Sequence, residues 1–211
     1  MTAELLYFHD PMCSWCWAFR PAFVALQAQL PATVTLRRVV GGLAPDNDQP
    51  MSDEMRAKLQ DTWRMIQQTV PGTRFNFAFW KDCTPRRSTY GACRAVLAAA
   101  RLSPAHEASM IEGIQHAYYL DARNPSDVDT LIDLAAAIGL DRERFAAEIS
   151  GDAVEALMRE EVAFARRAPV VGFPSLVVRT GSILRPVDVD FHDAESMRRQ
   201  IEAIVTANGS S

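Results

Sequence analysis

The chain has 211 residues, 48% hydrophobic and 23% charged, with 10 Gly and 12 Pro, a globular composition that excludes a disordered, collagen-like or low-complexity protein. Lys and Arg number 22 against 26 Asp and Glu, a net charge of −4, which argues against a dedicated nucleic-acid binder with its basic face. Four cysteines in this length are too few for a disulfide-built scaffold.

At the N-terminus, Met1-Thr2-Ala3-Glu4 lacks the basic start of a signal peptide, and Leu5-Leu6-Tyr7-Phe8 is too short for its apolar region. No stretch approaches the ~18 apolar residues of a membrane span. The expectation is a cytoplasmic protein that meets neither membrane nor nucleic acid.

Residues 4–9 form a short apolar run, predicted as a buried strand that Asp10-Pro11 breaks. From Cys13 to about Gln29 the apolar residues Trp17, Phe19, Phe23, Leu26 and Leu30 recur at helical spacing, with Pro21 predicting a kink or a division into two pieces. Thr33 to Val40 is rich in β-branched residues and reads as a second strand, punctuated by Gly41-Gly42. From about Met51 to Arg167 the pattern turns helical, with helices expected over 52–69, 87–101, 104–119, 127–138, 141–149 and 152–167. Ser126 is the expected cap of the fourth of these and Gly139 its stop. Within this block Arg74 to Trp80 alternates like an extended segment. Strand character returns at Ser175 to Arg179, Thr180-Gly181-Ser182 reads as a turn, and Ile183 to Val187 as the hairpin partner. Asp193 to Ala207 is a final amphipathic helix, and the last residues read as a frayed end. The order β-α-β, helices, β-β-α favours one sheet shared by both ends of the chain, with the helices as an insertion.

Cys13-Ser14-Trp15-Cys16 follows a predicted strand and opens a predicted helix. Free backbone N–H groups and the dipole at a helix N-terminus stabilise a thiolate, and the thiolate is the nucleophile. A second cysteine one turn further on can reach the first sulfur, the geometry of a reversible disulfide in which Cys13 attacks and Cys16 resolves. Ser14 and Trp15 carry no charge, so the helix start must do most of the tuning. Half of a zinc site and a pair of buried structural thiols are the competing readings, but Cys83 and Cys93 do not have the spacing of a second ligand pair. Val171-Gly172-Phe173-Pro174-Ser175 immediately precedes the third strand. Pro174 there begins an edge strand or forms a cis bond that leaves the Phe173 backbone free to pair with an extended peptide.

These motifs carry a family resemblance. On His9-Asp10-Pro11-Met12-Cys13-Ser14-Trp15-Cys16-Trp17-Ala18-Phe19, Gly41-Gly42-Leu43 and Val171-Gly172-Phe173-Pro174-Ser175-Leu176, the chain resembles the DsbA-like branch of the thioredoxin superfamily, near its FrnE-like cytosolic members. The resemblance implies an α/β thioredoxin-like fold with a helical domain inserted between the second and third strands. Residues 1–43 and 169–211 would form the thioredoxin-like domain and 44–168 the insertion. It also implies thiol–disulfide exchange, with Cys13 as nucleophile, Cys16 as resolving thiol and Pro174 as the cis-proline. No metal or bound organic cofactor is called for, glutathione is a candidate reductant, and the partners are disulfides or dithiols of proteins or small molecules. Trp15 departs from the periplasmic oxidase type, which carries His between its cysteines, and this argues against a strongly oxidising pair. An alternative on the same scaffold is a kappa-class-like, glutathione-dependent isomerase or transferase, which has Ser where Cys13 stands. A peptide-binding module with inert thiols is a further alternative.

Trp15, between the cysteines, is expected to be exposed and, with Phe173 and Pro174, to face substrate; Trp17 and Phe19 are expected in the core. His9 and Asp10 are candidates to tune Cys16 or relay its proton. Phe75, Phe77, Phe79 and Trp80 are expected in the core of the insertion. Cys83 and Cys93 are expected to be bystanders, Cys93 as a small apolar residue on a helix.

Overall fold

The computed structural model describes residues 3–209. Strand β1 (Ala3–His9) lies at the centre of a four-stranded sheet of order β2-β1-β3-β4, with β2 spanning Val34–Val40, β3 Ser175–Thr180 and β4 Ile183–Val187. β1 runs parallel to β2, with Leu5 opposite Leu36, and antiparallel to β3, with Leu6 opposite Val177. β3 and β4 form a hairpin in which Thr180 pairs with Ile183 across Gly181-Ser182, and Gly181 supplies the positive φ of 60° that this turn needs.

The continuous apolar run of β1 follows from its being buried on both faces. Leu5 and Tyr7 point to one side, against Phe19, Phe23 and Leu26 of α1 (Ser14–Ala28) and Met197 and Ile201 of α9 (Ala194–Gly209). Leu6 and Phe8 point to the other, against Val39, Val177 and the end of α8 (Asp152–Arg167).

The helical insertion between β2 and β3 begins with α2 (Asp53–Thr69), α3 (Phe79–Asp82) and α4 (Tyr90–Leu102). It continues with α5 (Glu107–Tyr119), α6 (Val128–Ala137), α7 (Arg142–Ile149) and α8. Helix α4 is its axis: Ala95, Ala98 and Ala99 are small enough for neighbouring helices to close around a largely buried helix. Ser52 caps α2 and Asp141 caps α7, each accepting a backbone N–H three residues on. Gly139, at φ 93°, ends α6 with its N–H on the Ala136 carbonyl and that of Leu140 on Ala135. Glu161 fastens the insertion to the sheet, since its buried carboxylate accepts the Val40 N–H at 2.8 Å and an Arg37 guanidinium N–H at 3.3 Å.

Several expectations need correcting. Helix α1 runs unbroken through Pro21, which lies on the exposed face, where water can reach the carbonyl that has lost its ladder donor. Arg74 to Trp80 is not a strand: Asn76 donates its backbone N–H to the Tyr119 carbonyl, and a helical turn begins at Phe79. The alternating aromatics instead surround Trp63, with Phe75 stacked on it at 4.8 Å and Phe77 and Phe79 against its other sides. Asp127, not Ser126, occupies the N-cap position of α6, and its carboxylate is engaged by Arg86 and Asn124. The stretch expected as one helix over 104–119 opens with a 3₁₀ turn, Pro104–His106, and the helix expected from 87 begins at Tyr90.

Candidate active site

His9 ends the central strand β1, and the chain turns through Asp10 to Met12 with the Cys13 N–H on the Asp10 carbonyl at 2.9 Å. Cys13 is the N-cap residue of α1, in extended conformation, and its carbonyl accepts the Trp17 N–H at 3.0 Å. The free N–H groups of the first turn thus lie beside its sulfur, with no acidic residue among them. The Cys13 thiol donates to the Phe173 carbonyl at 3.4 Å across 160 residues of sequence, so the two motifs meet in space. The Phe173–Pro174 bond is cis.

Cys16 lies one turn into the helix and is wholly buried, against 6% exposure for Cys13, so an incoming molecule meets Cys13 first. Both thiols are free. Burial pushes the Cys16 thiol well above the ordinary range, and hydrogen bonding and charge at Cys13 push it the same way. The Tyr7 hydroxyl faces Cys16; burial first, then charge on the two cysteines and hydrogen bonding to Cys16, hold that phenol well above its usual value. Sequence reading gave Tyr7 no role, because within an apolar strand its hydroxyl carries no periodic signal.

Asp10 is the hub of the loop and is fully buried. One carboxylate oxygen accepts the Met12 N–H at 2.8 Å. The other accepts the Leu43 N–H at 2.7 Å, the Thr89 hydroxyl at 2.6 Å and the Cys93 thiol at 3.7 Å. Burial raises its pKa above the usual carboxylate range, and these donors act in the opposite direction. Cys93, expected to be a bystander, is therefore polar in its contact: it sits on α4 as expected, but its thiol reaches the active-site loop. Cys83 lies apart, donating to the Ala122 carbonyl at 3.0 Å. His9 is buried with both ring nitrogens unpartnered and stacks on Tyr7 at 5.0 Å. Burial, with Arg38 adding to it, lowers its pKa to about 3, so the ring is neutral at physiological pH.

The Gly41-Gly42 pair has a steric origin. A Cβ at Gly41 would lie 1.9 Å from the tip of the Phe173 ring, so the glycine makes room for the residue that contacts Cys13. Gly42 combines a φ of 62° with Tyr90 and Val162 at 2.7 Å from where its Cβ would be.

Trp15 is half-buried rather than exposed: its ring meets Phe191 edge-on at 5.5 Å and packs near Ile66 and Val70. Phe19 is in the core as expected. Trp17 is only partly buried; its indole N–H donates to the Arg74 carbonyl at 3.0 Å and its ring stacks on Tyr119 at 5.7 Å. Tyr119 in turn donates its hydroxyl to the Met12 carbonyl at 2.7 Å, which fixes the loop from the insertion side. Among the described residues, no three His, Cys, Asp or Glu side chains converge as a metal ion would require.

A thioredoxin-like sheet with a helical insertion and a Cys-x-x-Cys at the start of α1 define a class, and comparison with known proteins agrees with it. Residues 4–202 match the DSBA-like thioredoxin domain, and the chain belongs to that family. A Nitrosomonas europaea structure, proposed to be a protein disulfide isomerase, superposes with a TM-score of 0.86 at 25% identity, covering 98% of this chain and 99% of that one. The cytosolic disulfide reductase DsbM of Pseudomonas aeruginosa superposes at 0.79 with 24% identity, over 97% of this chain and 99% of that one. The same reductase, solved with GSH, superposes at 0.75 with 24% identity, over 99% and 100%. Among curated sequences, the ClpXP adapter protein SpxH of Halalkalibacterium halodurans is 25% identical over 178 residues, which is 82% of this chain and 58% of that protein. The SpxH of Bacillus subtilis is 23% identical over 73% of this chain and 51% of its own length. The chain thus spans little more than half the length of these curated relatives. No helix among the described residues is long and apolar enough to cross a membrane.

Proposed function

We propose that the protein is a thiol–disulfide oxidoreductase in which Cys13 attacks a substrate disulfide and Cys16 resolves the mixed disulfide. The reading rests on one observation: Cys13 is at the N-cap of α1 against the Phe173 carbonyl, with a second, fully buried thiol one turn behind it. In this reading the Cys13 thiolate forms a bond to one substrate sulfur and the other leaves as a thiolate. Cys16 then gives up its proton and attacks the Cys13 sulfur, releasing the second substrate thiol and leaving the pair oxidised. Phe173 and Pro174 flank the incoming sulfur, Trp15 shapes the adjoining wall, and Tyr7 and Asp10 set the surroundings of Cys16. His9, neutral and unpartnered, acts by packing on Tyr7. Residues 1–43 and 169–211 carry the exchange chemistry, and 44–168 form the wall that substrates meet.

Substrates are disulfides or dithiols of proteins or small molecules, with glutathione as reductant, in a reducing compartment such as the cytoplasm. The GSH complex of the P. aeruginosa reductase supports the choice of glutathione. The test uses two variants. Cys16→Ser should accumulate mixed disulfides on Cys13, seen by mass spectrometry, and Cys13→Ser should abolish exchange. A Cys13→Ser protein that still exchanges disulfides at the wild-type rate would overturn the reading.

A further inference from the structure

The stripe of α1 that begins at Cys16 continues through Arg20, Val24 and Gln27, which share one face of the helix. Ala108, Glu112 and Gln115 form a matching stripe on α5. Between the two stripes lies a cavity of about 280 Å³ that reaches Cys16 and Tyr7, with Arg38 of β2 on a third side. Neither Cys13 nor Phe173 nor Pro174 borders it, so it approaches the buried thiol from behind. The cavities of about 460 and 480 Å³ touch neither cysteine. Val24, Gln27 and Ala108 are exposed and form the mouth, whereas Tyr7, Cys16 and Gln115 are buried and form the floor.

Two features select a small neutral occupant. The charges of the lining are already paired, Arg20 with Glu112 at 2.5 Å and Arg38 with Glu107 at 3.0 Å; Glu112 also has His116 at 3.8 Å. Gln115, by contrast, is 2% exposed, and its side-chain oxygen has no partner. The space is smaller than the sites of most organic ligands and many times the roughly 10–15 Å³ that one water needs, so a polar cavity of this kind holds water.

We propose that this cavity is the route by which the Cys16 proton leaves when Cys16 closes the mixed disulfide: the Tyr7 hydroxyl takes it, and water beside Gln115 carries it between α1 and α5 to solvent. The proposal rests on the exchange reading above and supplies its second step with a proton acceptor. At that step the substrate sulfur is bonded to Cys13 and covers the front of the site, so the wholly buried Cys16 needs another exit. The Cys16–Cys13 bond forms as the bond from Cys13 to the substrate sulfur breaks. The cysteine pair is oxidised, and the substrate sulfur leaves reduced, as a thiolate. The Cys16 proton passes to Tyr7 as Tyr7 gives its own to water, so the phenol stays neutral, as its burial requires. The neighbouring groups do not compete: the Asp10 carboxylate is filled by Met12, Leu43, Thr89 and Cys93, and burial holds His9 at a pKa of about 3.

The experiment separates attack by Cys13 from closure by Cys16 by rapid-quench alkylation, with 2-hydroxyethyl disulfide and the full-length chain. Ala108→Trp plugs the exposed mouth, and Gln115→Leu removes the polar group of the floor; urea unfolding checks that both fold. Closure should slow about tenfold in each variant, with attack within about twofold of wild type. A second measurement needs no redox activity: in the reduced wild type, magnetisation should transfer from water to the Gln115 side-chain amide, and in Ala108→Trp it should not. Closure at the wild-type rate in Ala108→Trp, equal slowing of both steps, or a Gln115 amide without water contact in the wild type would overturn the route and leave the exchange reading standing. A wild type with water at Gln115 whose Cys13 forms no mixed disulfide would overturn the exchange reading and leave a hydrated cavity.

Discussion

Gly41→Ala tests whether the Gly-Gly turn after β2 holds the substrate side of the site. The added Cβ would fall 1.9 Å from Phe173 Cζ and 2.4 Å from Cε1 and Cε2. Carbon atoms prefer about 3.5–4.0 Å, so the ring must retreat by roughly 2 Å. Backbone retreat at residue 41 is opposed by the Gly41 N–H bond to the His9 carbonyl at 2.7 Å, so the ring moves instead. Phe173 is half-buried against the cluster of Leu6, Phe8 and Val177. Losing about half of a full Phe burial, plus the strain of overpacking, costs about 1–2 kcal/mol. For a chain of this size that is a Tm lower by roughly 2–8 °C. The functional effect should be larger than the stability effect, because the Phe173 carbonyl is 3.4 Å from Cys13 Sγ. A displacement on the order of 1 Å at a reacting centre can cost up to about a hundredfold in rate. Urea unfolding and the single-turnover rate with 2-hydroxyethyl disulfide measure the two. Adding Phe173→Ala to Gly41→Ala should recover part of the stability, a coupling of about 0.5–2 kcal/mol. Unchanged stability and rate in Gly41→Ala, or strict additivity in the double variant, would refute the steric account.

Two further outcomes concern the buried side of the pair. Tyr7→Phe removes the hydroxyl that faces Cys16; closure of the mixed disulfide should slow several-fold to about tenfold, the worth of one hydrogen bond in a buried site, with attack by Cys13 unchanged. Rapid-quench alkylation separates the two steps, and equal slowing of both would count against a specific role. Asp10→Asn keeps one carbonyl oxygen but turns an amide N–H toward a backbone donor, Met12 or Leu43, and should cost about 2 kcal/mol at pH 7. Because the folded pKa of Asp10 is raised, its contribution relative to Asn is fully present below the unfolded value of about 3.9 and declines as pH rises through the folded value. The stability gap between wild type and Asp10→Asn should therefore widen as pH falls from 7 toward 4; a constant or narrowing gap in urea titrations would contradict the assignment.

The elements with one dominant period were legible in the sequence. β1, β2, the hairpin and most helices of the insertion fall within a few residues of their expected places, because burial on one face or on both writes a period of 2, of 3.6 or an unbroken apolar run. Arg74 to Trp80 misleads because three aromatics at alternate spacing, Phe75, Phe77 and Phe79, satisfy a strand pattern, whereas their real partner is a single ring, Trp63, that no local pattern connects to them. The cysteine pair was legible because its chemistry is local: two thiols one turn apart at a helix start. Asp10 was visible only as a neighbour of that pair, since of its donors only the Met12 N–H is local, and the others come from Leu43 and from Thr89 and Cys93 at the start of α4, far along the chain. Gly41 read as punctuation, and its close approach to Phe173 is a fact of tertiary packing.

The two thiols gain different character from one backbone feature. At the N-cap, Cys13 has unpaired N–H groups beside it and remains open to an incoming sulfur. One turn later the helix wall turns Cys16 toward Tyr7 and away from solvent, where a free thiolate is costly. Cys93 shows that burial alone does not make a resolving thiol: it is equally buried and also pushed up by burial, but its thiol is spent on Asp10. What distinguishes Cys16 is its place beside a sulfur that can carry the substrate to it. In the proposed exchange Cys13 reacts first and Cys16 only through Cys13, which is why the trapping variant is made at Cys16.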